Sequence, residues 1–123
     1  MISGIVNAND DALVRLFVRG SGSILHEVEA VLDTGFNGFL SLPVSLIDVL
    51  GLPYLRRERV MLSNGNIEEC AVHEGVLLWD GQERNILIQA TDGGPLLGMS
   101  LLHGHKLMIF VEDGGNVTIE ALP

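Results

Sequence analysis

Short runs that alternate apolar and polar residues, each closed by a glycine turn, set the tightest limit on what this chain can become. Residues 12–19, ALVRLFVR, place Val14, Leu16 and Val18 on one face and Arg15 and Arg19 on the other. A side-chain period of two belongs to a strand with one buried face. The turn GSGS at 20–23 leads into ILHEVEAVLD, where His26, Val28, Ala30 and Leu32 oppose Glu27 and Glu29. Toward its end this second strand is apolar on both faces, at Ala30, Val31 and Leu32, so Asp33 is expected at the end of a buried strand.

Two more hairpins follow from turn chemistry. ERVML (58–62) and NIEECAV (66–72) flank Ser63-Asn64-Gly65, and Asn-Gly favours the tight primed turns that match strand twist. GVLLW (75–79) and RNILIQA (84–90) flank Asp80-Gly81. A last pair, KLMIFV (106–111) and NVTIEAL (116–122), is joined by EDGG. Helix is scarce. PVSLIDVL at 43–50 has a proline at its first turn and Gly51 as a stop, and SLLHGH at 100–105 allows one more short turn, broken by Gly104. The expected class is all-β, with one or two short helices.

Composition narrows the setting. The 123 residues correspond to one domain, 1–123, and 47% of them are hydrophobic, which argues against disorder. Sixteen acidic against seven basic residues give a formal net charge of −9, so nucleic acid and anionic membrane surfaces are not expected partners. No apolar run approaches the roughly 18–20 residues of a membrane span, and the N-terminal MISGIVNANDD lacks the basic and apolar regions of a signal peptide. The one cysteine, Cys70, precludes an intrachain disulfide framework and suits a reducing compartment, so the expected location is cytoplasmic.

The chemistry centres on AVLDTGFNGFLSLP, residues 30–43. A carboxylate, a hydroxyl and a glycine, Asp33-Thr34-Gly35, follow directly on an apolar strand. As a bare tripeptide this is also an ordinary polar turn, arising by chance in roughly a few per cent of chains of this length. About 60 residues on stands GPLLGMSLL (94–102), two apolar residues and a glycine, and between the two lies the Asn64-Gly65 hairpin. In this order of parts the chain resembles the single-domain, retroviral-type (retropepsin-like) aspartic proteases, over roughly residues 12–111. The helix at 43–50 and the Asn37-Gly38 turn look more like bacterial relatives than viral ones.

The resemblance implies a closed β-barrel of the acid protease type that dimerises to form its active site. Asp33 matches the catalytic aspartate. Thr34 matches the hydroxyl that ties two such loops together, and Gly35 the glycine that lets backbone amides approach the carboxylates. Ser63, Asn64, Gly65 and Asn66 match the tip of a flap that meets substrate as an added strand. Leu96, Leu97 and Gly98 match the segment packed beside the catalytic loop. The terminal strands, roughly 2–7 and 116–122, would pair across the dimer. The implied partners are a second copy of the chain and an extended peptide; no metal or organic cofactor is implied. Peptide hydrolysis of this kind needs two carboxylates about 3 Å apart that share one proton. One chain has one Asp-Thr-Gly, so the second carboxylate must come from Asp33 of another copy.

Phe36 departs from the family, which usually carries a small residue after the glycine; a ring there reshapes the cleft floor or displaces a supporting hydrogen bond. It keeps a second possibility open, a non-catalytic homodimeric peptide-binding or assembly module of the same fold. A third is an unrelated β-barrel whose Asp-Thr-Gly is a chance turn. Weaker candidates read as ordinary structure: His103 and His105 as solvated histidines at a helix end rather than metal ligands, Asp10-Asp11 as a solvated turn, Cys70 as a plain thiol, and Trp79 as core or interface.

Overall fold

The structure is a computed structural model, and it describes residues 1–61 and 64–123. The chain is mostly β, with 57% of residues in strands and 12% helical. In chain order the described strands are β1 (Ile2–Val6), β2 (Ala12–Arg19), β3 (Leu25–Leu32), β4 (Leu40–Pro43), β5 (Tyr54–Met61), β6 (Ile67–Trp79), β7 (Gln82–Thr91), β8 (Leu96–Leu97), β9 (His105–Ile109) and β10 (Asn116–Ala121). Two short helices interrupt them, α1 (Val44–Leu50) and α2 (Met99–Leu102).

All the described strands belong to one sheet, ordered β5-β6-β7-β4-β8-β3-β2-β1-β10-β9. A further pairing of β2 with β6, Phe17 opposite Leu78 and Arg19 opposite Val76, closes β2, β3, β8, β4, β7 and β6 into a ring. The alternation of the sequence fills that ring. Val14, Leu16 and Val18 of β2 point inward with Val28 and Ala30 of β3, and Leu40, Leu42, Ile88 and Leu97 complete the core. The charged positions between them, Arg15, Glu27 and Glu29, face out.

Helix α1 follows from its ends. Pro43 closes β4 with φ −58°, compatible with a helix entry, and Gly51 stops the helix in the left-handed region at φ 66°, its N–H donating to the carbonyls of Ile47 and Asp48. Ile47 and Leu50 are the face it buries.

Two expectations are corrected. The stretches at 66–72 and 75–79 are one strand, β6, so the two central hairpins share it as a meander. The terminal strands are not free to pair across a dimer: β1 is hydrogen-bonded to β10 on one side and β2 on the other, and β10 lies between β1 and β9. The second short helix falls at Met99–Leu102 and ends ahead of Gly104 (φ 80°), the expected break, after which His105 starts β9.

Leu97 is fully buried where β8 meets both β3 and β4. Leu97→Ala is expected to lower unfolding free energy by about 2–5 kcal/mol. Val49, 71% exposed on α1, gives the control: Val49→Ala should change it by less than about 0.5 kcal/mol in the same urea titration.

Candidate active site

Strand β3 delivers Asp33 at its C-terminal end. Strand β8 runs parallel to β3, with Val31 opposite Leu96 and Leu32 opposite Leu97. The backbone holds this pairing past the strand end: Val31 N–H donates to the Pro95 carbonyl (3.0 Å) and Asp33 N–H to the Leu97 carbonyl (2.9 Å). Beyond Asp33 the chain turns on itself. Asp33 Oδ1 accepts from Gly35 N–H (2.9 Å) and the Asp33 carbonyl from Phe36 N–H (3.1 Å), the pattern of an Asx turn. Asp33 is half-buried, and Thr34 and Gly35 stand exposed at the tip.

The returning arm of the loop is tied to the same neighbour. Met99 N–H donates to the Phe36 carbonyl (2.8 Å), Ser100 N–H to that of Gly38 (3.1 Å) and Gly98 N–H to that of Phe39 (3.0 Å). The Ser100 hydroxyl adds a bond to the Asn37 carbonyl. Strand β4 then continues antiparallel to β8, with Leu40 opposite Leu97. Residues 95–100 are thus inserted between the two arms of the Asp33 loop. The loop has almost no freedom left to move its carboxylate relative to the core.

Glycine is required at the crossing. A Cβ on Gly98 would lie 2.2 Å from the Gly38 carbonyl oxygen and 2.6 Å from the Phe36 ring, closer than real Cβ contacts come. A Cβ on Gly38 would lie 2.6 Å from the other side of that ring. The space for the Phe36 ring is made by two glycines, and the Phe36 N–H and carbonyl both take part in backbone hydrogen bonds of the loop. Reading the sequence one residue at a time makes Phe36 an oddity. The signal that resolves it is the pairing of a bulky residue with Gly38 and Gly98, a compensation visible only once the chain is folded.

The Asn64-Gly65 turn sits at the end of the β5–β6 hairpin. Gly65 takes φ 83°, and Asn66 N–H donates to Asn64 Oδ1 (2.9 Å). All three residues are exposed, and Ser63 lies outside the described residues. The hairpin carries an exposed apolar cross-strand pair, Met61 opposite Ile67. Among the described residues no hydrogen bond joins this turn to the Asp33 loop. A groove of about 610 Å³ runs from Phe36 and Leu96 past α1 (Val44, Ile47) and β7 (Gln89, Ala90) to Val60 and Ala71 of the hairpin; Phe36 is its one lining residue from 33 to 38, and Asp33 does not line it. A larger hollow of about 830 Å³, lined by Leu52, Pro53 and Leu87, includes no residue from 33 to 38.

Two other candidates resolve differently. His105 is half-buried and paired: its Nε2 accepts from the Trp79 indole N–H (3.2 Å), its Nδ1 faces the His103 carbonyl (2.9 Å), and its ring meets Trp79 edge-on at 5.5 Å. This pairing needs the neutral tautomer with the proton on Nδ1, and it occupies both nitrogens that a metal would use. Among the described residues no group of three or more His, Cys, Asp or Glu side chains is gathered to hold an ion. Cys70 lines the groove, and burial pushes its thiol up, with Glu58 adding to the shift and Arg57 opposing it.

Comparison with protein-family models, with curated proteins and with solved structures gave no match to this chain. What the site can do follows from its geometry. A half-buried carboxylate on a braced loop takes one internal hydrogen bond, leaving lone pairs for a water or a second acid.

The packing of Phe36 gives a coupled prediction. Gly38 is not in the left-handed region, so only the ring excludes a side chain there. Gly38→Ala should destabilise the wild-type chain by about 1–3 kcal/mol but be neutral or stabilising in a Phe36→Ala background, as read from denaturant midpoints. For Cys70, the raised thiol holds less thiolate at a given pH. Alkylation by iodoacetamide at mildly alkaline pH should run several-fold slower than for a free thiol. Its rate should still climb where a free thiol, with a pKa of about 8.5, has levelled off.

Proposed function

We propose that the chain is one protomer of a homodimeric aspartic endopeptidase, in which Asp33 from each copy forms the catalytic pair. The observation that carries the reading is the bracing of the Asp33 loop on both arms by residues 95–100. Such bracing is what two carboxylates must have if they are to be held about 3 Å apart against their mutual repulsion. The ring of strands is then the barrel of an acid protease protomer, in a reducing, cytoplasmic setting that suits a lone thiol.

In this reading the exposed Thr34 hydroxyls meet across the two-fold axis and Gly35 gives room for the second loop. One carboxylate takes a proton from the attacking water as general base, while the protonated partner hydrogen-bonds to the peptide carbonyl. The pair titrates as a unit. The nucleophile is water, so the reaction as written takes no cofactor. The β5–β6 hairpin, with Asn64, Gly65 and Asn66 at its turn and Ser63 before it, lies across an extended peptide as an added strand. Leu96, Leu97 and Gly98 act through the loop and do not touch substrate.

The terminal strands constrain how a second copy docks, both in this reading and in that of a non-catalytic homodimeric peptide-binding or assembly module. Gly4 and Ile5 of β1 and Val117 to Ile119 of β10 are paired on both sides within the chain, so these central residues of the terminal strands have no edge left for a shared sheet. A second copy has to dock through other surface around Asp33.

Peptide-library cleavage across pH separates the two. Asp33→Asn is expected to lower cleavage at least about a hundredfold, and a statine-type transition-state analogue to block what the wild type does. Sedimentation equilibrium should show a dimer at working concentration. Cleavage that survives Asp33→Asn, or a monomer at every concentration tested, would sink the protease reading.

A further inference from the structure

The Ser41 hydroxyl is buried and has no partner. Ser41 is 4% exposed, and its Oγ finds no hydrogen bond among the described residues. Buried hydroxyls are nearly always paired, so an unpaired one calls for an explanation. Strand alternation supplies its direction. Leu40 and Leu42 enter the core, which turns Ser41 to the opposite face of β4. There its ladder neighbours are Leu96 on one side and Gln89 on the other. All three line the groove of about 610 Å³ between the Asp33 loop and the hairpin. The row Leu96–Ser41–Gln89 is thus a floor with one unsatisfied hydroxyl and one amide, set among mixed walls in which Phe36, Ile47 and Ala71 are apolar and His73 and Thr91 polar.

We infer that this groove is a specificity pocket for a peptide side chain with an apolar body and a neutral hydrogen-bonding tip, the tip pairing with Ser41. The inference deepens the proposed function and rests on reading the groove as part of the peptide-binding cleft. The tip is neutral because the charged residues lining the groove, Asp48, Arg57, Glu68, Glu69 and Asp92, are all exposed, leaving no counter-charge at the floor. Four of those five are acidic, so peptides with flanking Lys or Arg are preferred over acidic ones. Ser41 acts on recognition and not on the reacting atoms.

The test uses peptides in matched pairs, Tyr against Phe and Gln against Met at one position, each flanked by lysine. Their binding is measured by calorimetry to Asp33→Asn and to Asp33→Asn/Ser41→Ala, with circular dichroism confirming that both variants fold. The polar member of each pair is expected to bind about 3–10-fold tighter to Asp33→Asn. Ser41→Ala should bring that ratio to about one while the apolar member keeps its affinity. Should Ser41→Ala fail to fold, Ser41→Cys, close in size and a weak hydrogen-bonder, should reduce the ratio in the same way. Equal binding within pairs, a ratio that survives loss of the hydroxyl, or no binding at all overturns the inference. Because binding is read without turnover, the two proposals separate. Selective binding with no cleavage by the wild type removes the protease and keeps the pocket. Cleavage without selectivity does the reverse.

Discussion

The two arms of the Asp33 loop are joined through a two-residue strand. Leu96 and Leu97 pair parallel with β3 and antiparallel with β4, so β8 fastens together two strands that the sequence itself joins by an exposed loop. The hydrogen bonds from Asp33 N–H to Leu97 and from Gly98 N–H to Phe39 lie on the two sides of this fastening, at its C-terminal end. Individually such bonds contribute about 1 kcal/mol; together they convert a flexible turn into a fixed platform. Leu97 beneath them is fully buried, which ties the platform to the main core.

The same crossing explains the glycines. Gly98 passes under the loop at a distance that admits no side chain, and Gly38 gives up its own side chain to the Phe36 ring. The ring, which borders both the crossing and the groove, carries the packing of the loop outward to the surface where a peptide would lie. A bulky residue beside the Asp33 carboxylate is therefore compatible with a braced loop, provided its neighbours are reduced to match.

How much of this the sequence discloses depends on how local the cause is. The alternation of β2 and β3, the Asn-Gly and Asp-Gly turns and the proline-to-glycine frame of α1 are all local, and each appears close to where the sequence puts it. Strands β4 and β8 escape notice because their partners are distant in sequence and their lengths are too short for a period to register. The join within β6 escapes for another reason: His73, Glu74 and Gly75 look like a break. In the fold Glu74 N–H donates to the Pro53 carbonyl, and a Cβ on Gly75 would press on the Ile88 side chain at 2.5 Å. At the site, Asp33, Leu96, Leu97 and Gly98 are legible as a motif pair. Ser41 and Gln89 are not, since only the folded register makes them neighbours.

The continuity of β6 has a mechanical side. Its residues from Val72 onward are bonded to β7, and Val76 to Leu78 also to β2, so this half is built into the ring. Residues Ile67 to Ala71 are bonded to β5 alone. The hairpin is consequently a cantilever, clamped at Val72 and projecting about 16 Å at 3.3 Å per residue. Bending it breaks no hydrogen bond of the ring. The load at its root falls on β7, whose Gln89 is the ladder neighbour of both Val72 and Ser41.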